Sequence, residues 1–381
     1  MTSPIEPVTR KPVTTEPVTQ PVTPRKILPS AALKQLNSRS DLKGGLQFAG
    51  HLLVIGLSGY LWAAYWHWAI ALPALVIYGF SLATMFAAVH ECAHHTAFVS
   101  TRLNDTLGWL AGLLSFYNCA FYRRYHKWHH RYTQIPGKDP ELEEPRPTNL
   151  ADYLWQVSGL PWWWGKIKGH WRVATGDMVD MPYIAKDAYG SVMRATWLQF
   201  GVYGAEIAAS VIVRDTCFML YWVLPLAVGQ PLLRMILFAE HVGCSYDNNP
   251  LTNTRTTLTL WPIRFLMWNM PFHAEHHLYP SIPFHQLAAA HTQLAPHFAY
   301  IEPGYVQVNR GMAKPLYDLS VSGLYPEELS AAVRRGFTRS NLGLSNLWKA
   351  SWRSPQRYSL PHLLRRSAYR YRLANRARSH S

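Results

Sequence analysis

The chain has 381 residues, 49% apolar and 15% charged with 16 tryptophans, and its mean hydropathy of -0.10 averages polar ends with a very apolar middle. The formal charge of +15 does not point to nucleic acid, because it is concentrated in a tail: residues 333–381 hold twelve Lys or Arg and no acid, as tails that face anionic cytoplasmic lipids do. Four scattered cysteines (Cys92, Cys119, Cys217 and Cys244) form no CxxC pair, which excludes a disulfide framework and a zinc ribbon and leaves packing.

Residues 1–38 read as a disordered leader. Pro-Val-Thr recurs from Pro7, Pro12, Pro17 and Pro21, and such a segment blocks helices while offering little to bury. It has no apolar core of the kind a secretory signal needs. From Gly44 to His90 there is no Asp, Glu, Lys or Arg, a run of 47 residues, and a membrane span needs only about 20. Two spans fit there, with a tight turn between His67 and Pro73. A second pair is expected over residues 195–213, apolar except for Glu206, and 216–233, joined at Arg214 and Asp215.

Two further apolar stretches, residues 106–122 and 256–272, are broken by Gly, Asn or Pro and read as re-entrant or interfacial. Basic residues near the span ends (Arg39, Lys43, Arg123, Arg124, Lys127 and Arg131), together with the tail, place both termini in the cytoplasm. Four spans then put every histidine cluster on one face. The fold class expected is an all-α integral membrane protein with about four transmembrane helices and a cytoplasmic, histidine-rich cap. Its catalytic domain is expected over residues 39–300 and a basic tail over 301–381.

Ten of the 18 histidines fall in four pieces: His90-Glu91-Cys92-Ala93-His94-His95, His126-Lys127-Trp128-His129-His130, the single His241 just after the fourth span, and His273-Ala274-Glu275-His276-His277. Residues three and four apart share a helix face. His90 therefore points with His94, His126 with His129 and His130, and His273 with His276 and His277. His95, five residues from His90, swings off that face and is a reserve. Imidazole suits iron, zinc, copper and nickel, and ten neutral rings packed without a metal would leave many ring nitrogens without partners. His67, His285 and His291 lie outside the clusters. His90-Glu91-Cys92-Ala93-His94 also matches the HExxH zinc protease signature, but one zinc would leave about six other histidines unexplained.

These clusters resemble the three histidine boxes, HxxxH, HxxHH and HxxHH, of the membrane fatty acid desaturase and hydroxylase superfamily. The resemblance covers about residues 46–300. It extends to His130-Arg131-Tyr132-Thr133 with Asp139-Pro140-Glu141, to Asn253-Thr254-Arg255-Thr256-Thr257, and to Trp268-Asn269-Met270-Pro271-Phe272. It implies two iron ions, with O2 as co-substrate, held by His90, His94, His126, His129, His130, His241, His273, His276 and His277. Glu91, Asp139, Glu240 and Glu275 are candidate carboxylates to orient the rings, and Asn269, like His95, is a substitute ligand.

An unactivated methylene has no acidic proton, so its oxidation needs iron and oxygen rather than acid–base side chains. The function expected is desaturation of an acyl chain drawn from the bilayer, with lipid or carotenoid hydroxylation or ketolation as the alternative. Zinc proteolysis and metal transport are the readings of another class. No electron-carrier domain is evident, so a separate ferredoxin or cytochrome b5 type donor is expected. Trp155, Trp162, Trp163, Trp164 and Trp171 read as an interfacial belt in preference to a substrate wall, and Glu206 as either functional or hydrogen-bonded to a neighbouring helix.

Overall fold

The computed structural model describes residues 27–144 and 146–322. The Pro-Val-Thr repeats and the basic run 333–381 lie outside the described residues. Part of the expected leader is folded: α1 (Ser30–Leu36) is a helix, and Leu28 and Leu36 are buried against Phe272, Leu278 and Leu287.

The charge-free run becomes α2 (Asp41–Ala64) and α3 (Trp68–Ala93). Ser40 caps α2 by accepting from the Lys43 N–H. The turn is Tyr65–His67, shorter than expected, and Pro73 lies inside α3. Missing one N–H in the second turn does not end a helix whose neighbours pack around it. The stretch 106–122 is no span. It is divided between α4 (Thr101–Ser115) and α5 (Cys119–Tyr132), with Phe116 in the left-handed region at φ 60° as the break.

Two shorter helices follow, α6 (Leu150–Val157) and α7 (Leu160–Thr175), and then α8 (Tyr189–Ile212). After the expected turn at Arg214 and Asp215, a π-helical segment, Met219–Val223, leads into α9 (Leu224–His241). Among the described residues, three helices are long and apolar enough to cross a membrane: Asp41–Ala64, Trp68–Ala93 and Met219–His241. The expected third span falls in α8, which matches α2 in length but is less apolar. Its Leu198, Ile207 and Val211 are nevertheless exposed, as are Leu53, Leu57, Leu72 and Val76 of α2 and α3. Glu206 is exposed on α8 with no hydrogen bond to a neighbouring helix among the described residues.

The stretch 256–272 is also broken. It holds β1 (Thr256–Thr257) and α10 (Trp261–Leu266), and it leads to α11 (His273–Leu278) and α12 (Leu287–Leu294). β2 (Ile301–Glu302) pairs in parallel with β1, Thr256 opposite Ile301. α13 (Tyr305–Ser322) follows, and its buried Asn309 accepts from the Tyr153 hydroxyl at 2.5 Å and donates to the Met235 carbonyl at 3.1 Å. The packed unit therefore runs past residue 300, where the basic tail was expected to begin.

α3 is the hub, packing against α2, α4, α5 and α9. Its crossing with α9 brings backbone to backbone. A Cβ on Gly79 would lie 2.1 Å from the Pro225 carbonyl oxygen, and one on Gly229 would lie 2.0 Å from the Gly79 carbonyl oxygen. Only glycine permits that approach, the device by which helices associate inside a bilayer. Both helices run toward the same end, where each delivers a histidine: His90 on α3 and His241 on α9.

Candidate metal centre

The three boxes and His241 converge on one buried cluster. His90 and His94 come from the end of α3, the second box from α5, His241 from the last residue of α9, and the third box from α11. His241 is thus on the span helix itself and not beyond it.

The rings sort into two groups. In the first, ligand atoms of His90, His94, His126, His130 and His276 all lie within 4.8 Å of one another. His90 Nε2 is 2.8 Å from His276 Nε2, which is 3.0 Å from His130 Nε2, which is 2.9 Å from His126 Nε2. The second group joins His129, His241 and His277. His273 adjoins it, its Nε2 3.2 Å from His241 Nε2 and its ring centroid 4.5 Å from that of His277.

Each HxxHH box is therefore split, where one shared face was expected. On a helix of about 100° per residue, His129 and His130 stand about 100° apart, so His126 and His130 serve the first group and His129 the second. Box three divides in mirror fashion, with His276 in the first group and His273 and His277 at the second.

The rings suit a metal. Nitrogens meet nitrogens, and the Nε2 atoms of His94, His129 and His277 are buried with no hydrogen-bond partner, donor sets that a cation between them would satisfy. Burial and neighbouring histidines push His126, His130, His273, His276 and His277 well below the usual imidazole range and His94 down to about 3. These rings are neutral, as ligation requires. His129 differs. Burial opposes its charge, but Glu141 and the hydrogen-bonded Asp139 outweigh burial and raise its pKa.

In the second group the outer nitrogens are held. His129 Nδ1 is 2.9 Å from Asp139 Oδ1, His241 Nδ1 is 3.1 Å from the Asn253 carbonyl, and His277 Nδ1 is 3.2 Å from the Thr133 hydroxyl. Such contacts fix the tautomer and leave Nε2 for a metal. Asp139 also accepts from the Gln134 and Glu141 N–H groups.

Asp139→Asn is expected to weaken metal binding at this group about 10-fold or more. Metal titration of the purified variant checks this, and unchanged affinity would reduce Asp139 to a loop cap.

The other candidates fare differently. Glu240 is 3.5 Å from His273 Nε2. Glu91 touches no cluster histidine among the described residues: it accepts from the Thr96 hydroxyl at 2.7 Å and the Phe284 N–H at 3.2 Å. The HExxH reading thereby loses its general base. Glu275 takes the Thr256 hydroxyl and His291 Nδ1, both at 2.5 Å, instead of a box ring. His291, outside the boxes in sequence, thus supports box three.

His95 sits past the end of α3 at φ 57° and faces Asp105 at 3.2 Å, away from the cluster. Asn269 accepts from Arg264 and donates to the Phe284 carbonyl, so it is no substitute ligand here. Besides His291 and Asn253, three further residues went unmarked as site residues in the sequence. Glu141 is 3.7 Å from His129 Nε2, the Tyr122 hydroxyl is 3.3 Å from His90 Nδ1, and Thr133 meets His277 as described above. Thr133, Glu141 and Asn253 lie within the motifs quoted for the resemblance, which was the available signal.

Residues 66–309 match the family model described as fatty acid desaturase. This chain belongs to the fatty acid desaturase family. Among similar proteins, a Delta(5) fatty acid desaturase of Caenorhabditis elegans is 23% identical over 57% of this chain and 55% of its own length. An sn-1 oleoyl-lipid 12-desaturase of Anabaena variabilis is 25% identical over 81% of this chain and 76% of its own. Dihydrorhizobitoxine desaturase of Bradyrhizobium elkanii is 27% identical over 65% and 72%. The chain spans about half the length of the worm relative.

Within this desaturase-family protein, a cavity of about 420 Å³ opens beside the cluster, reaching His90, His126, His129, His241 and His273. Trp162 is buried in its wall, whereas Trp155, Trp164 and Trp171 are exposed.

Proposed function

We propose that this protein is an oxygen-dependent diiron desaturase that introduces a double bond into the acyl chain of a lipid. The observation that carries the reading is the convergence of nine imidazoles, six buried and three half-buried, in two adjoining groups beside a cavity of about 420 Å³. His90, His94, His126, His130 and His276 would hold one iron, and His129, His241, His273 and His277 the other. When bound, the iron pair supplies activation of O2 and removal of hydrogen from an unactivated C–H bond.

The chain's own residues do the rest. Neutral rings present their Nε2 atoms, Asp139, Thr133 and the Asn253 carbonyl hold three rings in register, and Phe86 and Tyr122 wall the cavity beside His90. Electrons come from a separate ferredoxin or cytochrome b5 type donor, for which the basic cytoplasmic face is suited. Relatives named for oleoyl-lipid and fatty acid desaturation support the lipid substrate.

Purified protein is expected to carry about two irons per chain, and cells producing it should accumulate a lipid lighter by two hydrogens. Elemental analysis and lipid mass spectrometry test this. One zinc and no iron would overturn the reading, and a product heavier by one oxygen would make the enzyme a hydroxylase. Tags at both termini and near Arg146 are expected to report cytoplasmic and one near His67 the opposite side; a tag near Arg146 on the far side would break the topology.

A further inference from the structure

The cavity is lined by both signs of charge. Asp139 is bound to His129, while Glu141 and Glu240 lie 3.7 Å and 3.5 Å from His129 and His273. Glu143 and Glu144 are exposed where the cavity meets solvent. Lys166 of α7, Arg234 of α9 and Tyr117 also line it, with Glu141 and Glu240 close enough to act on Arg234.

Each of these three keeps a donor that no carboxylate takes among the described residues. The Lys166 ammonium lies 3.4 Å from the Tyr117 ring centroid and 5.9 Å from that of Trp162, with no carboxylate in ion-pair contact among the described residues. Arg234 donates to the Tyr117 hydroxyl at 3.3 Å, and its buried Nε has no partner. The Trp162 Nε1–H donates to the same hydroxyl at 3.1 Å. The Tyr117 oxygen thus accepts twice and retains its own hydrogen to give. Burial and the adjacent Arg234 bring the Lys166 pKa down to about 7, with Glu144 at the rim opposing them. Two cations held together, partly desolvated, are unfavourable until an anion joins them.

We propose that Lys166, Arg234 and Tyr117 hold an anionic head group, a carboxylate or a phosphate, so that the substrate is an anionic amphiphile and not a neutral lipid. This rests on the reading of the histidine cluster as the oxidising centre. From the Tyr117 ring, one ring-to-ring step of 5.9 Å reaches Tyr122 and another of 4.9 Å reaches His126. The head group and the cluster are therefore within reach of one short chain.

Binding tests this without turnover. Octanoate, octyl phosphate and methyl octanoate are titrated calorimetrically into the full-length protein in neutral detergent. At least one anion is expected to bind about 10-fold or more tighter than the ester. Lys166→Met and Arg234→Gln should each weaken it by about 10-fold or more, as loss of a charged hydrogen bond does, with the ester unchanged. Lys166→Arg should restore the anion, which separates lost charge from lost folding.

Tighter octanoate identifies a free carboxylate, and tighter octyl phosphate a phosphorylated head group. Equal binding of ester and anions, or anion affinity unchanged in both variants, would overturn the proposal. Anion binding by a protein that makes no unsaturated product would instead overturn the desaturase reading and leave this site standing.

Discussion

His276→Ala is expected to lower turnover by at least about 100-fold and to release iron, while the protein still inserts and folds. His276 is the middle of the first group, its Nε2 meeting both His90 and His130 at 2.8 Å and 3.0 Å. Its removal takes a donor from the centre of the set, where displacement of about 1 Å already costs about 100-fold. Insertion depends on α2, α3 and α9, which the change does not touch. His95→Ala is the matched control: its ring faces Asp105 at a half-exposed site, and activity should stay within a few-fold. Iron content and product formation on equal amounts of membrane protein check both. An active, iron-replete His276→Ala would remove the first group from the chemistry.

The second large effect is expected far from the histidines. Gly79→Leu places a side chain where even a Cβ falls 2.1 Å from the Pro225 carbonyl and 3.1 Å from the Gly229 nitrogen. Neither contact is the tip of a flexible side chain, so the helices must separate, at a cost of about 3 kcal/mol or more. That is a large share of a marginal stability of roughly 5–15 kcal/mol. Gly204→Ala on α8, with nothing within 4 Å of its added Cβ, should be neutral or slightly stabilising. Thermal unfolding in detergent compares the two. Equal midpoints would mean that the α3–α9 contact is not tight.

Much of the site was legible in the sequence because histidine spacing of three and four survives directly as helix geometry. All nine histidines chosen from the boxes and His241 do meet. Their division into two groups was not legible, since it depends on how α3, α5, α9 and α11 are rotated against one another. Glu141 escaped for a related reason. It reaches His129 only because Asp139 and Pro140 turn the chain in a short 3-10 helix. Glu275 was read as a partner for a box ring, but β1 brings Thr256, and α12 His291, to the carboxylate first. The helix at Ser30–Leu36 was hidden by composition: the buried Leu28 just before it and Leu36 at its end sit beside repeats that look uniformly unable to pack.

The glycine crossing of α3 and α9 also acts on the chemistry at a distance. Gly79 precedes His90 by eleven residues and Gly229 precedes His241 by twelve, which at 1.5 Å per residue are arms of about 16 Å and 18 Å. His90 belongs to one histidine group and His241 to the other. Opening the scissor by about 5° at its pivot would move each arm tip by about 1.4 Å, more than the misplacement that already slows a reaction about 100-fold. The spacing between the two halves of the centre is thus geared to a buried contact between two glycines far from the metal ligands.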